Sequence, residues 1–241
     1  MARGVYWDPF SGLAGDMMVG ALLGLGAPWA VVEDAVLSMN VKNLAVSQRA
    51  VSRGGIAAIQ FEVTWEAGDH PVHRHLPEIL EMVTKAELSP GAAQRAKTAF
   101  QALAEAEARI HGSRLEAVQL HEVGAEDSIA DIVAASAAFD ALELDRCWVG
   151  PIATGSGWTT GAHGRIPVPA PATLELLRGF RISHGDTQSE LTTPTGAALM
   201  HGFHAETMAS MPGGTIETIG YGAGTRELAH PNVTRAILLC H

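Results

Sequence analysis

The sequence predicts an α/β fold, with a central mixed sheet flanked by helices and a β-hairpin/helical insert. Three observations carry that expectation. Strand-like and helix-like segments alternate along the chain. A strand, a glycine turn and a helix follow one another at the N-terminus. The chain of 241 residues is 47% hydrophobic, enough for a sizeable core.

The elements follow in order. Residues 4–7 read as a strand. Residues 16–25 read as a helix stopped by Gly26, and Pro28 can start the next one. Residues 41–51 and 56–65 alternate with period two across Arg53, Gly54 and Gly55, which predicts a hairpin. A polar loop leads to helices at 76–86 and 90–110, the second with Ser89 as N-cap and Pro90 at its first position. Residues 41–112 are thus expected to form a subdomain. A strand is expected at 115–120, then a helix ending near Leu142 and a strand at 147–153. A long Gly-rich loop enters a helix at 171–177. TTPTGAALM starts a further helix, and strands near 216–219 and 234–239 close the chain.

Charge narrows the function. Lys and Arg number 16 against 26 Asp and Glu, a net charge of −10. A nucleic-acid or anionic-membrane partner is disfavoured, because both want basic patches. Two cysteines, Cys147 and Cys240, stand far apart and outside any CxxC pair. That argues against a disulfide scaffold and a thiolate cage and fits a reducing cytoplasm. No apolar run approaches the roughly 18 residues of a membrane span.

HEVGAEDSIADI, residues 121–132, crowds His121, Glu122, Glu126, Asp127 and Asp131 into one segment. Ser128 and Asp131 have the spacing of a capping box, so capping accounts for the second half. It does not account for His121 beside Glu122. Imidazole and carboxylate together suit Ni, Zn, Mn or Fe. DPFSGLAGDMM places Asp8 at a strand end, then Ser11, Gly12 and Gly15 before a helix that opens near Asp16. Converging amides and a helix N-terminus can hold an anion, though an ordinary tight turn has the same composition. HPVHRH supplies His73 and His75, which share a face if extended. A solvated loop is the plain alternative. Arg165 is the candidate cation for an anionic ligand, or else an exposed Arg in a crossover loop. Thr192 and Thr193 precede Pro194, where they cap a helix or bind a second anion.

Five segments occur in one order: DPFSGLAGDMMVGALLGLG, HEVGAEDSIADIV, HGRIPVPAPATLELL, ELTTPTGAAL and GYGAGT. Together they resemble the LarC family, the nickel-insertion proteins of nickel-pincer cofactor biosynthesis. The resemblance implies a nickel chelatase, or cyclometallase, acting on a pyridinium bisthiocarboxylate mononucleotide in a CTP-dependent reaction. Family members often carry a longer His-rich stretch than HPVHRH. Full-length members also continue into a C-terminal domain that binds CTP with Mg²⁺ or Mn²⁺, a domain expected to be absent from this chain.

On that resemblance, Ni²⁺ is collected by His73 and His75. It passes to an acidic site drawn from Asp8, Asp16, His121, Glu122, Asp127 and Asp131. The nucleotide phosphate is expected on the helix start at 11–16, helped by Thr192, Thr193 or Arg165. A carboxylate or His121 takes the ring proton. Expected partners are the mononucleotide precursor and the CTP-binding part of the family, with no nucleic acid and no membrane. Self-association stays open. Two rivals remain: a non-enzymatic nickel-delivery module, and a divalent-metal-dependent phosphohydrolase using the same acids.

Overall fold

The computed structural model describes residues 3–65, 74–120, 125–161, 164–185 and 187–240. In its first strand, β1 (Arg3–Asp8), Val5 and Trp7 enter the main core while Tyr6 joins a smaller cluster. Alternate side chains of a strand point to opposite faces, so the two clusters lie on opposite sides of the sheet. A turn leads into α1 (Gly15–Gly24), and Pro28 precedes α2 (Trp29–Leu37). The expected hairpin is β2 (Ala45–Arg53) and β3 (Ile56–Thr64), paired in register from Ala45↔Thr64 to Arg53↔Ile56.

Next come β4 (Arg74–His75), α3 (Leu76–Lys85) and the Ala-rich α4 (Pro90–His111). Ser89 caps α4, accepting from the Ala92 N–H at 3.1 Å, as the sequence suggests. The strand expected at 115–120 is extended only at β5 (Gln119–Leu120); Leu115–Ala117 coil into a 3-10 turn. After α5 (Glu126–Ala141), the strand expected at 147–153 divides into β6 (Arg146–Val149) and β7 (Ile152–Ala153). The break falls at Gly150 and Pro151, and Pro151 has no N–H to continue the ladder.

The Gly-rich loop holds a hairpin of its own, β8 (Trp158–Gly161) and β9 (Gly164–Pro167). Then follow α6 (Pro171–Leu176), β10 (Ile182–Ser183), α7 (Pro194–Gly202), β11 (Glu206–Thr207), β12 (Thr215–Ala223) and β13 (Val233–Cys240).

Seven strands form one mixed sheet in the order β11-β6-β1-β13-β12-β3-β2. β1 runs parallel to β6 and antiparallel to β13, so the first and last strands of the chain are neighbours. The β2–β3 hairpin extends this sheet at one edge, and side chains of α3 and α4 join the same core as those of α1, α5 and α7. Burying a large apolar side chain there contributes about 1.5–3 kcal/mol. The topology sets the starts of α1, α5 and α7 beside the β12–β13 connection. Among the described residues, no helix is long and apolar enough to cross a membrane.

Candidate functional site

The site begins with a glycine. Gly15 is the first residue of α1, and a Cβ added there would stand 2.5 Å from Asp131 Oδ2 on α5. Only a residue without a side chain lets that carboxylate approach so closely. Asp131 takes the backbone N–H of Asp16. Asp16 Oδ1 accepts from the Met17 N–H at 2.8 Å, so its own helix start is partly closed by its own carboxylate. Asp127 lies four residues before Asp131, on the same face of α5. Its Oδ1 accepts from the Ser128 N–H at 2.7 Å.

Asp16, Asp127 and Asp131 line a cleft of about 660 Å³, together with Glu62, Glu190 and Trp65. The α7 start closes one side through Thr193 and Thr195. Thr193 is the N-cap and accepts from the Gly196 N–H at 3.2 Å. The cleft is electrostatically loaded. Burial pushes Asp16 up to about 6, and the charge of Asp127 adds to this, while the Met17 N–H and Arg226 act against it. Asp131 is pushed well above the usual carboxylate range, first by burial and then by Asp16 and Asp127. One carboxyl of such a cluster is a proton acceptor poised near neutral pH.

The other expected residues fall elsewhere. Asp8 is held by Arg235, its register partner on β13; Arg235 Nε donates to Asp8 Oδ2 at 3.1 Å, and Asp8 does not line the cleft. Ser11 is fully buried and bonds to His230 Nε2 at 2.9 Å and Asn232 Oδ1 at 3.3 Å. Gly12 has φ +84° and packs on the Leu191 carbonyl, a tight turn with a close backbone approach. The Thr192 hydroxyl is consumed structurally, accepting from Leu13 N–H at 3.1 Å and donating to the Ala153 carbonyl at 2.7 Å. Arg165 stacks on Trp158, 4.8 Å from the ring centroid and away from the cleft. His75 bonds through Nδ1 to the Val118 carbonyl at 3.0 Å.

The capping reading of HEVGAEDSIADI is corrected: α5 starts at Glu126 with Ala125 as N-cap, so Ser128 is inside the first turn. Asp131 instead closes the α1 start. His73, His121 and Glu122 lie outside the described residues. Among the described residues, β4 and β5 pair antiparallel, Arg74 with Leu120 and His75 with Gln119. Glu126 is tied to Arg74 at 2.8 Å.

Among the described residues, no group of three or more His, Cys, Asp or Glu side chains is placed to hold a metal ion. Burial pushes the Cys147 thiol far up, which keeps it protonated. Sequence reasoning missed Glu62, Glu190 and Arg226. Arg226 follows GYGAGT directly, but nothing in the sequence says that a cation 210 residues downstream meets Asp16.

A protein-family model described as nickel insertion protein matches residues 5–240. A Geobacter sulfurreducens protein, named provisionally for nickel insertion, is 46% identical over 235 residues, covering 96% of this chain and 60% of its own. A Geobacillus kaustophilus protein named pyridinium-3,5-bisthiocarboxylic acid mononucleotide nickel insertion protein is 42% identical, covering 97% and 59%. One of the same name from Staphylococcus epidermidis is 38% identical, covering 98% and 59%. The chain therefore spans about 60% of the length of these relatives. No solved structure matches it significantly.

Proposed function

Because this chain belongs to the nickel insertion protein family, we propose that its acidic cleft is where Ni²⁺ is joined to a pyridinium-3,5-bisthiocarboxylic acid mononucleotide. The observation that carries this reading is the convergence of Asp16, Asp127 and Asp131 on a cleft of about 660 Å³, within the size range of small-molecule sites.

Nickel is here a substrate in transit. Three carboxylates lining one cleft attract a divalent cation. The sulfurs of the substrate complete the metal's coordination, with His73, His75, His121 and Glu122 as donors on the delivery side. As nickel bonds to the ring carbon, the C–H electron pair becomes the nickel–carbon bond and the proton goes to a carboxylate. Asp16, pushed up to about 6 by burial, and Asp131, raised by burial and by the charges of Asp16 and Asp127, are the acceptors. No oxidant or reductant is consumed. The CTP dependence, and a site for CTP with Mg²⁺ or Mn²⁺, belong on this reading to the remaining length of the relatives.

The test is calorimetry with Ni²⁺ and then with the mononucleotide, in the wild type and in Asp127→Ala combined with Glu122→Ala. The reading expects both ligands to bind the wild type, and loss of cofactor formation by the double variant in a complete system. Wild-type product yield from that variant would sink it. Nickel binding without mononucleotide binding would instead favour a delivery module.

A further inference from the structure

Asp16 stands between two spaces. On one side is the large cleft. On the other is a recess of about 170 Å³, bordered by Asp16, Ser189, Glu190, Thr225, Arg226 and Asn232. The large cleft is lined by the acids Asp16, Glu62, Asp127, Asp131 and Glu190, and among its described lining residues there is no Lys or Arg. Such a wall attracts a cation and repels a phosphate. Arg226 borders the recess and is the one cation among the described residues lining either space.

Arg226 is presented on a built frame. Asn232, 7% exposed, donates from Nδ2 to the Arg226 carbonyl at 2.9 Å, and its own carbonyl accepts from the Gly224 N–H at 3.0 Å. Asn232 Oδ1 in turn accepts from the buried Ser11 hydroxyl at 3.3 Å. So Ser11 anchors the β12–β13 connection. Arg226 Nη1 donates to the Glu190 carbonyl at 3.1 Å, which fixes the plane of the fork. Ser189 also borders the recess, and its Oγ, shielded from solvent, has no hydrogen-bond partner among the described residues.

The helix starts offer less. At α1 the Asp16 amide is taken by Asp131 and the Met17 amide by Asp16. At α7, Pro194 has no N–H and the Gly196 N–H is taken by Thr193.

We propose that the recess is the phosphate subsite of the mononucleotide: Arg226 grips the phosphate, and the ring end projects past Asp16 into the carboxylate cleft. This rests on the nickel-insertion reading above. Asp16 and Glu190 also border the recess, so discrimination for phosphate falls on Arg226.

The test compares calorimetric affinities for the mononucleotide and for its dephosphorylated nucleoside, in wild type, Arg226→Gln and Arg226→Lys. Melting temperatures check that each variant is folded. The wild type is expected to prefer the mononucleotide by on the order of 10- to 100-fold, as a charge-assisted fork to phosphate gives. Arg226→Gln should bring the two affinities together, and Arg226→Lys should keep part of the preference. A folded Arg226→Gln variant that retains the full preference overturns the subsite. Equal wild-type affinity for both ligands overturns it too, and leaves nickel insertion standing. Wild type binding neither ligand overturns both.

Discussion

Replacing Asp16 by Asn is expected to make the metal-free protein more stable and the site useless. In the native state Asp16 is pushed from 3.8 up to about 6, chiefly by burial. A raised carboxylate holds its proton more tightly when folded, so ionising it costs the folded state. Below the unfolded value both states are protonated and the cost vanishes. It grows as pH rises between about 4 and 6 and is constant above. A difference of about 2 pH units corresponds to about 3 kcal/mol at pH 8 and a few tenths of a kcal/mol near pH 4. Asn carries no charge and can still accept the Met17 N–H. Removing the Asp16 charge also eases ionisation of Asp131, whose own rise includes that charge.

Urea unfolding in the presence of a chelator, at pH 4, 6 and 8, measures the effect. The Asp16→Asn advantage should rise with pH to on the order of 2–3 kcal/mol at pH 8. With Ni²⁺ at about 100 times its dissociation constant, the wild type should gain about 2.7 kcal/mol, and the variant much less. A variant less stable than wild type at pH 8, or one whose advantage is the same at every pH, would refute the burial argument.

Other outcomes follow from the same geometry. Nickel affinity should fall as pH drops through about 6, because Asp16 takes up its proton there; titrations at pH 5 and 7.5 check this. Gly15→Ala forces a methyl against Asp131 and should cost about 1–3 kcal/mol in urea unfolding, with weaker nickel binding. Thr192→Val strands the Leu13 N–H and should cost about 1–3 kcal/mol in the same assay. Asp8→Ala breaks a partly exposed ion pair with Arg235. It should cost about 1 kcal/mol or less and leave calorimetric nickel affinity at the wild-type value.

Local chemistry was easy to read. Ser89 with Pro90, and Thr193 with Pro194, cap their helices where the residue types say they should. The glycine pair Gly54 and Gly55 turns the hairpin, since both adopt positive φ. The strand expected over 147–153 failed at Gly150–Pro151, where a missing N–H outweighs apolar periodicity. HEVGAEDSIADI shows the same limit. A serine three residues before an aspartate looks like a capping box in any sequence. Whether the helix begins there depends on what its neighbours take up.

The sequence by itself determined the order of elements, the acidic balance, the capped helix starts and the family, because each depends on residues close in the chain or on patterns kept in order. Asp16, Asp127 and Asp131 could be named from the sequence as acids near helix starts. That they share one cleft, that Asp8 belongs to Arg235 instead, and that Ser11 anchors Arg226, only the tertiary structure decided. β1 lies beside β13, and α1 lies against α5. Carboxylates more than a hundred residues apart therefore meet in a partly desolvated space, where each charge raises the cost of the next.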